Sequence, residues 1–141
     1  MLKGIIALLI ADSTIQSLIG KDKLTQDYKV YPVACPQPQD DPYLVLSIVE
    51  GSIFTRCKDT TGDLDDTPFR VFCYAKTYPL AEGLGVAVRN VLDNHKGTVS
   101  GVKYQNVYFD DFHDGWDKDS GDGLFVRVLL FRALIDVSPG T

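Results

Sequence analysis

The segment at residues 78–97 constrains the fold of this chain more than any other. Its apolar residues fall at Leu80, Ala81, Leu84, Ala87, Val88, Val91 and Leu92, the i, i+1, i+4, i+7, i+8 spacing of one face of an α-helix. Glu82, Arg89, Asn90 and Asp93 fill the other face. Pro79 suits a first turn, where an N–H would find no helical acceptor. His95 and Lys96 stand where the helix dipole favours cations, and Gly97 can take the left-handed stop. Each large side chain on the apolar face gains about 1.5–3 kcal/mol on burial. A lone helix cannot collect that energy, so neighbouring segments must supply a sheet for it to lie on.

Before this helix, Leu2, Ile5, Ile6 and Leu9 recur at helical spacing and predict a first helix ending near Ala11. Asp12 or Ser13 can cap a second short helix, with Ile15, Leu18 and Ile19 on one side and Gly20 as its stop. A short strand at 28–31 ends at Pro32, and Pro36, Pro38 and Pro42 make an extended link. The run YLVLSIV at 43–49 is a buried strand by its β-branched and aromatic content. Glu50, Gly51 and Ser52 suggest a turn into a partner strand at 53–57. Residues 58–67, with Asp59, Asp63, Asp65 and Asp66 around Gly62, read as a solvated hairpin arm or a loop.

From Phe69 the alternation is clean: Phe69, Val71, Cys73 and Ala75 face one way, Arg70, Phe72 and Tyr74 the other. Residues 102–109 read as a strand bulged near Gln105 and Asn106, where alternation slips. A polar loop is expected at 110–123. The strand at 124–135 is apolar on both sides apart from Arg127 and Arg132, so it is central or covered on one face by another molecule. The expected class is α+β: a mostly antiparallel sheet with a long central helix, and the N-terminal helices packed on one face.

At 141 residues and 45% hydrophobic content, one domain spanning 1–141 is expected, with enough apolar mass for a core. The net charge of −5 argues against a sequence-independent grip on nucleic acid and disfavours acidic substrates. Cys35, Cys57 and Cys73 form no CxxC pair and leave one over in any disulfide scheme. They read as small apolar residues in a reducing compartment. The apolar start of the chain has only Lys3 as a basic residue and no small-x-small cleavage site, and it is far too short to span a bilayer. A soluble, intracellular protein without a membrane role is expected.

No arrangement in the sequence does obvious chemistry. Asp117, Asp119 and Asp122 resemble a calcium loop, but position five from Asp117 is Gly121, position six is Asp122 and position twelve is Val128. The glycines at 83 and 85 lie inside the helix, and Val88 stands where a phosphate-binding loop needs its third glycine. Close approach of another backbone would explain keeping them, and so would simple tolerance. His95 is accounted for as a helix-end cation and His113 as a polar loop residue. The metal alternatives are an adventitious or assembly-linked divalent cation on the acidic loop, and a divalent cation held by Asp110, Asp111, His113 and Asp114. The expectation is no catalytic residue, no cofactor and no metal.

The order and spacing of these pieces resemble the tail completion family of long-tailed bacteriophages and prophages, the tail terminator or tail-to-head joining proteins. The likeness runs from the helix pair LxxIIALLIADSTIQSLIG through VYP at 30–32, Pro36-Gln37 and PYLVL at 42–46 to the helix YPLAEGLGVAVRNVLD and two final strands. It spans nearly the whole chain, and each motif in it is a packing or turn signature. The acidic loop at 110–123 is no part of the pattern.

The resemblance implies a structural virion protein that assembles into a ring, a hexamer, which caps the tail tube and joins it to the head connector. Its partners would be further copies of itself, the tail tube protein and the head–tail connector protein, with DNA passing through unbound. The protein would sit at the tail–head junction, after assembly in the bacterial host cytoplasm. A head–tail connector or stopper role in the same particle is the nearest alternative. Position in the pattern places subunit contact on Phe72 and Tyr74, helped by Arg70, with burial under the N-terminal helices as the competing account. The arm bearing Asp59, Asp63, Asp65 and Asp66 is expected to order on assembly, because its composition cannot bury itself.

Overall fold

The computed structural model describes residues 2–21, 27–32, 42–48, 55–59, 62–117 and 123–136, with backbone alone at 55–59 and 62–65. Helices α1 (Leu2–Ala11) and α2 (Ser13–Ile19) are followed by strands β1 (Val30–Pro32), β2 (Tyr43–Ile48), β3 (Thr55–Asp59) and β4 (Gly62–Ala75). Helix α3 (Tyr78–Leu92), then β5 (Gly97–Val99), β6 (Val102–Asp117) and β7 (Leu124–Asp136) complete the order. The strands form one sheet in the order β1-β2-β4-β7-β6-β5, with β3 paired to the first half of β4. Every pairing is antiparallel except β1 with β2. The class is α+β and mostly antiparallel, as the sequence predicts.

The centre of this fold is β7 rather than the helix. β7 lies between β4 and β6, which is why its sequence is apolar on both sides. Helix α3 packs on one face of that strand, with Ala81, Leu84, Ala87, Val88 and Leu92 buried. The α1 and α2 residues Ile5, Leu9, Ile15 and Ile19 enter the same core as Leu44, Leu46, Phe69, Val71, Cys73, Phe131 and Ala133. All three helices therefore share one side of the sheet. The Cys73 thiol is fully buried, and desolvation pushes its pKa well above the ordinary value, as suits a residue used for its apolar surface.

Local chemistry explains most element ends. The Asp12 side chain accepts a hydrogen bond from the Ile15 N–H at 3.0 Å and caps α2. Gly20, at φ 68°, ends it. At the end of α3 the structure departs from expectation: the helix stops at Leu92, and Asn94 takes the left-handed conformation at φ 65° ahead of Gly97, which is itself at φ 131°. The Asp93 side chain accepts from the Phe109 N–H, and the Asn94 N–H donates to the Val107 carbonyl. The chain is thus tied to β6 three residues before Gly97, which opens β5 instead. His95 lies beyond the helix, its ring edge-on to Tyr104 at 6.0 Å.

Three strand readings also change. Among the described residues β3 pairs with β4 and not with β2, and β4 begins at Gly62 rather than Phe69. The acidic arm is therefore a hairpin whose second strand also bonds β7, from Leu64 opposite Asp136 onward. Register sets Arg56 opposite Asp65 and Lys58 opposite Asp63 along this hairpin. The expected loop at 110–123 is strand as far as Asp117. The prolines at 36 and 38 and the turn at 50–52 lie outside the described residues.

The two helix glycines have different explanations. A Cβ at Gly83 would meet open space, whereas one at Gly85 would come within 2.5 Å of the Arg127 Cδ. Gly85 is kept for a close approach, of a side chain rather than a backbone. Gly83→Ala is expected to raise the thermal midpoint, by up to ~1 kcal/mol of helix propensity. Gly85→Ala is expected to lower it despite the same gain, because the Arg127 side chain is pinned and cannot give way.

Candidate assembly surface

The face of the sheet turned away from the helices is also apolar. Tyr43, Val45 and Leu124 are buried there, with Tyr31, Phe72 and Tyr74 packed against them. The register lines up Tyr43 with Tyr74, Val45 with Phe72 and Ser47 with Arg70 across β2 and β4. On the far side β7 sets Val126, Val128 and Leu130 against Tyr74, Phe72 and Arg70. Tyr43 and Tyr74 stack with centroids 4.9 Å apart, Phe72 stacks on Tyr74 at 6.3 Å, and Tyr31 meets Tyr43 edge-on at 6.4 Å. Such pairs add about 0.5–1.5 kcal/mol beyond area burial.

Arg70, Phe72 and Tyr74 therefore project from the face predicted by alternation. The N-terminal helices do not cover them, since those helices belong to the other core. All three are half-buried. Among the described residues, no carboxylate is placed on Arg70, whereas Arg132 on the same face is held by Asp66 through bonds of 3.1 and 2.9 Å. That hydrogen bond raises the Arg132 pKa. Asp66 thus joins the predicted group through a partner that its sequence position did not reveal. Asp59, Asp63 and Asp65 are placed by backbone register alone, along the β3–β4 hairpin.

A second cluster escaped sequence reading. Arg127, on the helix face of β7, donates from Nε to Asp114 Oδ1 at 2.7 Å and from Nη2 to Asp114 Oδ2 at 3.0 Å. The Tyr78 hydroxyl donates to Asp114 Oδ2 at 2.8 Å and accepts from Arg127 Nη2 at 3.1 Å. The guanidinium lies over the Phe112 ring at 4.5 Å, and the aliphatic stem of Arg127 passes close to Gly85. This fork-on-fork pair joins the start of α3, β6 and β7 at one point. The hydrogen bond from Arg127 holds the Asp114 carboxyl below the usual aspartate value, and Asp114 in turn raises Arg127.

What hid the cluster is a second bulge in β6. Register shifts occur between Tyr104 and Asn106, as predicted, and again between Phe109 and Asp111. The second shift turns Phe112, Asp114 and Trp116 to the helix face, opposite Leu129, Arg127 and Phe125, and leaves Asp111 and His113 on the other. The four residues weighed as a cation site are thereby divided, and Asp114 is spent on Arg127. No group of three or more His, Cys, Asp or Glu is gathered as for a metal among the described residues.

The network carries a pH prediction. Asp114 has its pKa lowered in the folded chain, so its contribution is complete above the unfolded value of about 4 and fades as pH falls through the lower folded value. Asp114→Asn should lower stability at pH 7 by about 1 kcal/mol, a modest figure because the carboxylate is 30% exposed. It should also flatten the acid limb of thermal midpoint against pH below about 4.

No single described helix is long and apolar enough to cross a membrane. The family model described as Tail completion protein gp17 matches residues 3–136. No curated protein sequence matches the chain. Its fold is similar to that of a chain in the solved structure of the virion of a native gene transfer agent (GTA) particle, with a TM-score of 0.72 and 20% identity, covering 95% of this chain and 92% of that one.

Proposed function

Since the chain belongs to the Tail completion protein gp17 family, we propose that it is the structural subunit that closes a phage tail tube as a ring and joins it to the head connector. Family membership carries this reading. The similarity to a chain from a virion particle supports it at the level of fold. Residues 1–141 act as one domain, made in the host cytoplasm and retained in the virion at the tail–head junction. The work is structural rather than catalytic, with self-association, tube protein and connector as the contacts.

Subunit contact falls on the aromatic face, with Phe72 and Tyr74 as anchors and Arg70 as the charged member. Tyr, Trp and Arg set among apolar neighbours are the residues on which association energy concentrates. The β3–β4 hairpin bearing Asp59, Asp63, Asp65 and Asp66 extends that contact. Six copies at −5 each would bring −30 to the ring. Any of that charge lining the bore would repel passing DNA rather than bind it, with a range of about 8 Å at physiological salt.

The direct test adds purified protein to isolated tail tubes and to free connectors. Binding at a tube end as a ring is the expected result. Decoration of the connector alone would move the protein to the connector or stopper role.

A further inference from the structure

The aromatic face is one half of a contact, and a ring requires a different surface for the other half. Identical patches meeting face to face close a dimer, whereas heterologous patches continue around a cycle. We infer that the second half is the distal part of β6, residues 110–116, and that it seats on the Arg70–Phe72–Tyr74 face of the next copy. This rests on the ring reading above.

Three observations single out this segment. Among the described residues the large apolar side chains that remain exposed are Ile48, Tyr78, Val86, Tyr108, Phe112 and Trp116, and Tyr108, Phe112 and Trp116 lie on β6. Phe112 is 45% and Trp116 is 52% exposed, which is unusual for rings with so much apolar surface to hide. The backbone here is a sheet edge as well. β5 pairs only with residues 102–104, and Asp93 and Asn94 cover residues 107 and 109. Beyond that point β7 is the only strand neighbour of β6 among the described residues. Finally, the segment is held in place before any partner arrives, because Asp114 is clamped by Arg127 and Tyr78. Preorganisation of this kind lowers the ordering cost of association.

Charge selects the occupant. Asp110 and Asp111 are exposed on this edge, so two copies of it would repel each other. Arg70 is the half-buried cation without a described carboxylate. Asp111 of the same chain stands in the same sheet row, but Leu130 lies between them, a separation of roughly 9–10 Å across two strand spacings. The acidic edge complements this cation in charge, and a second copy of the chain is the occupant that brings the two together. The β6 edge then meets the next copy with Phe112 and Trp116 on one flank against Phe72 and Tyr74, and with Asp110 or Asp111 on the opposite flank against Arg70.

A photo-crosslinking residue placed at Phe112 or Trp116, in a mixture of isotopically light and heavy full-length chains at associating concentration, tests this. The expected adduct joins light to heavy chains between position 112 or 116 and residues 43–47 or 70–74. Arg70→Glu alone and Asp110→Lys with Asp111→Lys alone should each weaken association about tenfold or more. Mixing the two variants should recover most of the loss. Links between copies that fall on other segments, or charge reversals that fail to rescue each other while native mass still shows rings, would overturn the contact and leave the ring reading standing. Absence of association both in solution and on tail tubes would defeat both.

Discussion

Replacing Phe131 by alanine lowers the unfolding free energy by about 3–5 kcal/mol, measurable as a shift of the urea midpoint without a change of slope. Phe131 is fully buried in the middle of β7. It stacks on Phe69 at a centroid distance of 5.5 Å and meets Phe109 edge-on at 5.6 Å. Its ring therefore links β4, β7 and β6 beneath the helices, and the neighbouring rings are too rigid to fill the void it leaves. Against a total of about 5–15 kcal/mol for a domain of ordinary stability, this loss leaves little. Phe131→Leu keeps most of the volume and should cost about half as much or less.

Phe131 also shows what the sequence makes legible. Its strand is apolar on both sides, and period-two alternation in β4 separates Phe69 and Val71 from Phe72 and Tyr74 without ambiguity. The helix pair, its Asp12 cap and the Gly20 stop were equally plain, because each depends on residues a few positions apart. The misread positions depend on distant partners. The stop of α3 moved to Asn94 because β6 supplies hydrogen bonds to Asp93 and Asn94, and nothing local foretells that.

Gly85 is explained by an arginine on β7, forty-two positions along the chain. The acidic run after Phe109 reads as a loop by composition. Its strand character comes from pairing with β7, and its facing from a bulge at Asp110 that polar residues cannot advertise. The aromatic face was therefore legible as a candidate, whereas the Tyr78–Asp114–Arg127 clamp was not.

Truncating Phe72 to alanine is expected to abolish ring formation at concentrations where the native chain assembles, a weakening of at least about thirtyfold, as for a central anchor worth 2 kcal/mol or more. The monomer should remain folded. Phe72 lies on the face opposite the main core and touches Tyr74 rather than the helices, so its loss should cost the isolated chain less than a buried core phenylalanine does. Tyr74→Ala should behave similarly, with a larger stability component because it stacks on buried Tyr43 at 4.9 Å. Sedimentation and thermal melts of the same samples separate the two effects. A Phe72→Ala chain that melts early yet still assembles would place this face inside the subunit rather than between subunits.

The account stands or falls on whether this chain is the piece that finishes the tail and lets it accept a head. Electron microscopy of particles produced with its coding sequence removed measures that directly. The account predicts DNA-filled heads and unattached tails accumulating side by side, with joining restored when the purified protein is added back. Joined, infectious particles at normal yield in its absence would contradict it.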